Sequence, residues 1–240
     1  MLIGVDSASA VDDALLELAT RTIGRKPAFW GRYLTDGGVG ATPVTRMEVD
    51  YLNSHDIAVA LIYNGPILPD GLDVADKAVS ACARLLGKTP LRTTIFADIE
   101  RGVNIDAGWL LRFHNAMTGC GFRAGIYAPM ASPMIHKALF VMNETDIVLW
   151  DAHWLVPLGR MPTGPQIEEC PAADLGIRWQ LRQIAGNVAA GKLDVNLMNG
   201  NPTELGLLVP QAEKQPAPQN TAKDRLLAIA DEIRKIAEQI

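Results

Sequence analysis

Short apolar segments rich in β-branched residues alternate along the chain with segments in which apolar residues recur at helical spacing. This alternation is typical of parallel strands joined by crossover helices, so it predicts an α/β fold. The predicted helices cover residues 11–22, 74–86, 107–119 and 133–140, and another opens at Thr45, where Thr45-x-x-Glu48 forms a capping-box pattern. The predicted strands cover residues 2–6, 28–34, 57–63, 93–100, 122–127, 147–150, 177–181 and 192–196.

Eight strands in a chain of this length predict one TIM-like (β/α)8 barrel, which usually takes about 250 residues. The last two strands are the least regular, so the late βα units are expected to be irregular. An open doubly wound sheet would usually carry a phosphate-binding glycine turn after its first strand. Asp6-Ser7-Ala8-Ser9 stands at that place instead, which favours the barrel.

The composition changes after residue 210. The barrel domain is predicted to cover residues 1–210, residues 211–221 are predicted to be a Gln-, Pro- and Ala-rich linker, and residues 222–240 an amphipathic helix. Such a short helix is marginal alone, so it is expected to dock on the barrel, to form a homo-oligomer or to bind a partner helix. Its apolar seam consists of Leu226, Ile229, Ile233, Ile236 and Ile240.

Charge and composition mainly exclude classes of function. The net charge of −5 argues against a basic surface, so no nucleic-acid partner is expected. No apolar run approaches the roughly 20 residues that a membrane span needs. The cysteines and histidines are dispersed, without a Cys-x-x-Cys or His-x-x-x-His pair, so no zinc site is predicted. No cofactor is expected either, because the carboxylate chemistry considered below needs only two carboxylates and water.

The fourth predicted strand carries the candidate chemistry. Side chains alternate between the faces of a strand, so Phe96, Asp98 and Glu100 share the face that points into the barrel. Two carboxylates at the end of a buried strand are unfavourable without compensation, and barrel active sites lie at the carboxyl ends of the strands. Asp98 and Glu100 are therefore candidate catalytic residues. The alternative is that the strand ends at Asp98 and both acids are solvated.

Two further acids are predicted at the same rim. Asp6 ends the first strand and Asp194 lies on the eighth, and these strands are neighbours in a closed barrel. Each acid alone is more typical of a cap or turn. Aromatic residues also mark strand ends and late loops, where their faces could bind sugar rings, although each alone is more typical of a core. These aromatic residues are Tyr33, Tyr63, Tyr127, Trp150, Trp154 and Trp179.

These motifs together resemble glycoside hydrolase family 25, the Chalaropsis-type lysozymes or N-acetylmuramidases. The resemblance spans roughly residues 2–200, and Gly31-Arg32-Tyr33-Leu34 is closer to a poorly characterised glycoside-hydrolase-like branch. The ends of strands two and three differ from the family pattern, which implies an altered −1 subsite. The motifs that carry the resemblance are Gly4-Val5-Asp6, Asp98-Ile99-Glu100, Gly125-Ile126-Tyr127, Trp150-Asp151-Ala152-His153-Trp154, Trp179-Gln180 and Asp194-Val195-Asn196.

The resemblance implies a role for each acid. Glu100 would be the general acid, and Asp98 would stabilise the oxocarbenium-like transition state or orient a substrate acetamide. Asp6 and Asp194 would hold the charge balance and raise the pKa of Glu100. The residues implied to bind substrate are Tyr33, Tyr63, Tyr127, Trp150, Trp154 and Gln180.

Three functions remain open at this point. The first is a retaining, lysozyme-like glycosidase (an endolysin or similar hydrolase) that cleaves peptidoglycan or another N-acetylated glycan of the cell wall. The second is a non-catalytic barrel that binds cell-wall glycan, and the third is a hydrolase or lyase for an unrelated small substrate. No signal peptide is visible before the first strand. We therefore expect cytoplasmic synthesis with action at the bacterial cell wall, as for a phage lysin or a protein exported by another route, unless a leader has been removed.

Overall fold

Eight strands close into a barrel, as the alternation of segments predicts. The computed structural model describes residues 1–38, 40–100, 105–129, 135, 137–139, 146–168, 173–174 and 177–210. The helices are α1 (Asp13–Ile23), α2 (Arg46–Ser54), α3 (Gly71–Leu86), α4 (Ala107–Gly119) and α5 (Gly164–Glu168). The strands are β1 (Leu2–Ser7), β2 (Phe29–Tyr33), β3 (Ala58–Tyr63), β4 (Thr94–Asp98), β5 (Arg123–Ala128), β6 (Val148–Asp151), β7 (Ala173–Asp174), β8 (Ile177–Arg178), β9 (Leu181–Asn187) and β10 (Leu193–Met198).

The order of strands around the barrel is β1, β10, β9, β6, β5, β4, β3 and β2. Strands β1 to β6 and β9 run parallel to one another, whereas β10 is antiparallel to both β9 and β1. A short turn, Val188–Gly191, joins β9 to β10 in place of a crossover helix. Because β10 is reversed, it begins at the end of the barrel where β1 finishes. We call this end the mouth.

The prediction of the seventh barrel strand at residues 177–181 is wrong. Ile177–Arg178 pairs with Ala173–Asp174 in a separate two-stranded sheet, and Leu181–Asn187 closes the barrel. The physical reason is the polar residue Gln183, which is buried in this strand and interrupts its apolar pattern. The remaining predicted strands agree with the observed ones within a few residues at each end.

The barrel interior is filled by aromatic rings around Trp150. The rings of Phe29, Phe96 and Tyr127 meet the Trp150 indole edge to face, with centroids 6.3, 5.2 and 5.1 Å from it. Such edge-to-face contacts stabilise an aromatic cluster beyond the burial of apolar area. Alternate residues of the same strands pack outward against the helices, as Ile95, Ala97 and Ile99 do.

The capping pattern at α2 is confirmed only in part. The Thr45 hydroxyl accepts a hydrogen bond of 3.2 Å from the backbone N–H of Glu48, as an N-cap does. The Glu48 carboxylate does not complete the box, because it binds a buried arginine described below.

Several predictions fall on residues outside the described part of the chain. These are most of the helix predicted over residues 133–140, the linker over residues 211–221 and the amphipathic helix over residues 222–240. The described residues Met1–Pro210 belong to one unit of the chain. Among them, no helix is long and apolar enough to cross a membrane.

Candidate active site

Four carboxyl side chains lie at the mouth of the barrel. Asp6 and Asp194 are direct partners in the antiparallel register of β1 and β10, as the adjacency of the first and last strands predicts. Asp98 is the last residue of β4, and Glu100 follows two residues later. The fold therefore brings four acids from three separate parts of the chain together at the mouth of the barrel.

Asp98 and Glu100 line an open cleft of about 360 Å³. Asp98 is half-buried and Glu100 is exposed, and the backbone N–H of Glu100 donates a 3.3 Å hydrogen bond to Asp98 Oδ1. We call this cavity the acidic cleft. Its wall includes Tyr33, Asn64, Gly65, Pro66, Asp98 and Glu100.

Asp6 lies below the cleft and is only 1% exposed. Its Oδ2 accepts a 2.8 Å hydrogen bond from the side-chain amide of Asn196. Burial raises the pKa of Asp6 well above its usual value, and the negative charge of Asp194 raises it further. The hydrogen bond from Asn196 opposes this shift, while Glu100 and Asp98 add to it.

Asp194 has more hydrogen-bond donors than Asp6. The backbone N–H of Asn187 donates to its Oδ1 at 2.6 Å, and the side chain of Gln183 hydrogen-bonds to it as well. Burial raises the pKa of Asp194, although both hydrogen bonds lower it in part. The two partners thus differ in environment, because Asp6 is the more deeply buried and Asp194 the better solvated by protein groups.

Two tyrosines face the four acids. Burial raises the pKa of Tyr33, and the charges of Asp6, Asp98, Asp194 and Glu100 raise it further. The pKa of Tyr127 is also raised well above its usual value, first by burial and then by Asp6. Both phenols therefore keep their protons at neutral pH and can act as hydrogen-bond donors. The hydroxyl of Tyr127 is buried and donates to Gln183 Oε1 at 2.8 Å.

A buried ion pair holds the segments that follow β1 and β2. Arg32 is fully buried, and its Nε lies 2.5 Å from Glu48 Oε1. The same guanidinium donates to the backbone carbonyls of Ser7 at 2.6 Å and Thr42 at 2.8 Å. Glu48 also accepts the backbone N–H of Val11 at 3.0 Å. These bonds tie the segments beside Asp6 and Tyr33 to α2.

Tyr33 lines the acidic cleft and Tyr127 lies buried beside the acids, whereas Tyr63 and Trp150 lie elsewhere. Tyr63 is on the opposite face of β3 from Ile62 and packs in the outer core, because side chains alternate along the strand. Trp150 is fully buried under three aromatic rings, so its faces are covered. Trp150 therefore does not line the acidic cleft, whereas Tyr63 lines a neighbouring cavity that is described below.

The two remaining predicted residues differ from each other. The side-chain oxygen of Gln180 accepts the backbone N–H of Leu149 at 2.7 Å, near the beginning of β6 and away from the mouth. Gln180 thus joins neighbouring strands rather than facing the cleft. Trp154 follows β6, is 40% exposed and lies against Gly186 near the mouth end of β9.

The sequence interpretation did not identify Asn196 and Gln183 as members of the site. Asn196 shares a strand face with Asp194 two residues earlier, the same spacing that identified Asp98 and Glu100, so its signal was available. Gln183 lay outside the predicted seventh strand. Gly31 was also missed: a Cβ there would lie 2.6 Å from the Asp6 Cβ and 2.8 Å from the Trp150 ring.

This arrangement is suited to acid–base chemistry. Accessible carboxyl groups at the cleft can transfer protons, and the buried acids and neutral phenols beside them control the local charge. Among the residues that the structure describes, no group of three or more His, Cys, Asp or Glu side chains is arranged to hold a metal ion.

No protein-family model matches this chain, and no curated protein matches it either. Solved structures do resemble it. An uncharacterized protein of B. stearothermophilus is 26% identical, with a TM-score of 0.68, and the match covers 86% of this chain and 100% of that one.

Two further structures have names that describe an activity. The spore cortex lytic enzyme SleM of Clostridium perfringens is 13% identical with a TM-score of 0.56, and the match covers 85% of this chain and 69% of that one. The catalytic domain of the endolysin ply40, from bacteriophage P40 of Listeria monocytogenes, is 18% identical with a TM-score of 0.53, over 86% and 98% of the two chains. This protein therefore shares its barrel fold with a spore cortex lytic enzyme and the catalytic domain of an endolysin.

Proposed function

We propose that this protein is a glycoside hydrolase that cleaves a peptidoglycan-type N-acetylated glycan, and that it belongs to the glycoside-hydrolase-like branch near family 25. One observation carries the proposal: Asp98 and Glu100 line an open cleft, and the buried carboxyl of Asp6 is close enough to interact electrostatically with both. The barrel fold shared with an endolysin and a spore cortex lytic enzyme supports it.

In the proposed reaction, Glu100 is the general acid. Its carboxyl proton passes to the glycosidic oxygen as the bond from that oxygen to the anomeric carbon breaks. Glu100 is exposed at the cleft, where a substrate can reach it.

Asp98 acts on the sugar that develops positive charge. Its carboxylate stabilises the oxocarbenium-like transition state directly, or it orients the substrate acetamide, whose oxygen attacks the anomeric carbon. On the acetamide route, this attack bonds the acetamide oxygen to the anomeric carbon as the leaving group departs, which gives a cyclic oxazolinium intermediate. Water then attacks the anomeric carbon from the face that the leaving group vacated and displaces the acetamide oxygen, while Glu100 accepts the proton of the water, so the configuration is retained. Tyr33 contributes a neutral hydroxyl at the wall of the same cleft.

The decisive experiment measures reducing sugar released from purified cell walls. Wild type is expected to release sugar and Glu100→Gln to lose at least about 100-fold of the rate, because general acid catalysis typically contributes that much. Asp98→Asn should show a comparable loss. Glu204→Gln is the matched control, since Glu204 is an exposed glutamate in the loop after β10, at the other end of the barrel.

Two outcomes would contradict the proposal. Equal background release by wild type and Glu100→Gln, with wall binding intact in both, would indicate a barrel that binds cell-wall glycan without cleaving it. An inverted product, detected by NMR of the newly formed anomeric centre, would reject the retaining mechanism while keeping the hydrolase.

A further inference from the structure

A second cavity, of about 420 Å³, lies beside the acidic cleft. Pro66 lines both cavities, so they are neighbours, and we call the residues between them, Thr35, Asn64 and Pro66, the ridge. We call the second cavity the cationic groove. It is lined by Thr35, Tyr63, Pro66, Lys77, Ser80 and Arg84, together with Asp76.

Two cations of α3 give the groove its charge. Lys77 and Arg84 are seven residues apart, which places them on one face of the helix two turns from each other. Both side chains are exposed, and within the described part of the chain neither forms an ion pair. Asp76 is the one acid of this lining, so the groove has an excess of positive charge.

The ridge between the cavities is held by a polar contact. The Thr35 hydroxyl donates a 2.7 Å hydrogen bond to Asn64 Oδ1. Thr35 belongs to the cationic groove, and Asn64 belongs to the acidic cleft. On the groove side, burial raises the pKa of the Tyr63 phenol, and the positive charge of Arg84 lowers it in part. Arg84 is therefore close enough to Tyr63 to interact with it electrostatically.

The two cavities have opposite charge. Asp98 and Glu100 line the cleft, with Asp6 and Asp194 beside them, so the mouth repels an anionic polymer. Peptidoglycan is such a polymer, because its peptide stems carry free carboxylates. A ligand could match the charge of both cavities if its uncharged sugars occupied the acidic cleft and its carboxylate reached across the ridge into the cationic groove.

We propose that the cationic groove is an accessory subsite that binds a carboxylate of a peptide stem carried by the glycan. Lys77 and Arg84 supply the charge, and the hydroxyl of Ser80 supplies a further hydrogen bond. The inference rests on the proposed function, since it assumes that a sugar of the same polymer occupies the acidic cleft. It adds a preference for glycan that carries stems over bare glycan.

The test uses two glycan preparations, both freed of wall phosphate polymers. One retains its peptide stems, and an amidase has removed the stems from the other. The measured quantity is the ratio of kcat/KM for stem-bearing to stem-free glycan, for the full chain and for the double variant Lys77→Gln/Arg84→Gln. The matched control is Arg25→Gln/Lys26→Gln, which removes the same two charge types before β2, at the opposite end of the barrel.

Wild type and the control are expected to prefer stem-bearing glycan, and the preference should weaken with added salt. The groove variant should lose about threefold to tenfold of that ratio, in line with two solvent-exposed charge contacts. A ratio that stays the same in the groove variant would overturn the proposal, even if kcat/KM falls equally for both preparations.

Two further results would point to a different ligand or a different function. A third preparation, stem-bearing wall that retains its phosphate polymers, tests the other anion. If the groove variant differs from wild type only on this third preparation, the groove binds phosphate and the assignment to stem carboxylates is wrong. If wild type cleaves neither preparation, the proposed hydrolase function fails. Co-sedimentation of wild type and the groove variant with the same two preparations would then test the cationic groove separately, because binding requires no cleavage.

Discussion

The indole N–H of Trp150 donates a 2.9 Å hydrogen bond to Oδ1 of Asn196. Because this bond occupies the amide oxygen, the NH₂ group of Asn196 faces Asp6, to which it donates at 2.8 Å. Tyr127 relates to Asp194 in the same way, through the amide of Gln183. Two buried aromatic donors, Trp150 and Tyr127, thus orient two side-chain amides. Each amide in turn hydrogen-bonds to one acid, Asp6 or Asp194. Trp150 serves the site without lining the cleft.

Trp150→Phe should destabilise the fold by about 2–4 kcal/mol, since it leaves the buried Asn196 oxygen without its donor and removes packed volume. Chemical denaturation measures the change. Trp154→Phe is the control, because Trp154 is 40% exposed, and its effect should stay within about 0.5 kcal/mol. Similar losses in the two variants would show that the hydrogen bond to Asn196 contributes little.

Asp6→Asn should stabilise the protein at neutral pH and lose that advantage in acid. The pKa of Asp6 is raised in the folded state, chiefly by burial and then by Asp194, so the folded protein holds this proton more tightly than the unfolded chain. The contribution to stability is complete below the unfolded pKa, near 3.8, and is lost as the pH rises through the folded pKa. The variant has no such titration.

Thermal unfolding of wild type and Asp6→Asn from about pH 4 to pH 8 measures this difference. The melting temperature of the variant should exceed that of wild type most at pH 8, and the gap should close toward pH 4. Asp73→Asn, at an exposed position in the first turn of α3, is the control and should show no such trend. A gap that does not vary with pH would mean that Asp6 does not titrate in this range.

Gly31→Ala should cost about 1–3 kcal/mol of stability through overpacking. The added Cβ would lie 2.6 Å from the Asp6 Cβ and 2.8 Å from the Trp150 ring, both of which are buried. Gly119→Ala, at the end of α4, meets nothing within 4 Å and should be neutral or slightly stabilising in the same denaturation assay. If Gly31→Ala is as stable as wild type, the packing around Asp6 is looser than these distances indicate.

Glu48→Gln should destabilise the fold by about 3–5 kcal/mol, because it leaves the buried guanidinium of Arg32 without its counter-charge. The control lies on the same helix: Asp50→Asn removes the exposed pair with Arg46 and should change stability by less than about 1 kcal/mol. Equal effects, measured by urea unfolding, would reject a special role for the buried pair.

Much of the site could be predicted from local patterns. Closure of the barrel made Asp6 and Asp194 neighbours, as the order of the strands predicted. Asp98 and Glu100 both line the cleft, but β4 ends at Asp98, so the two-residue period of the strand does not extend to Glu100. The same patterns gave α4 its observed bounds, residues 107–119. These features depend on short-range periodicity and on the adjacency of the first and last strands, which a sequence contains directly.

The tertiary structure decided the surroundings of individual side chains, which the periodicity of the sequence does not specify. Only the packed barrel shows that Tyr63 faces the helices while Trp150 is covered by other rings, because an aromatic residue satisfies the pattern of either face. The seventh strand was misplaced for a related reason: Gln183 is polar yet buried, and its partner Tyr127 is 56 residues away in the sequence. The amino-acid sequence thus determined which acids meet at the mouth. The long-range hydrogen bonds of the interior determined which residues hold them there, since a buried polar group is stable only where its partners are.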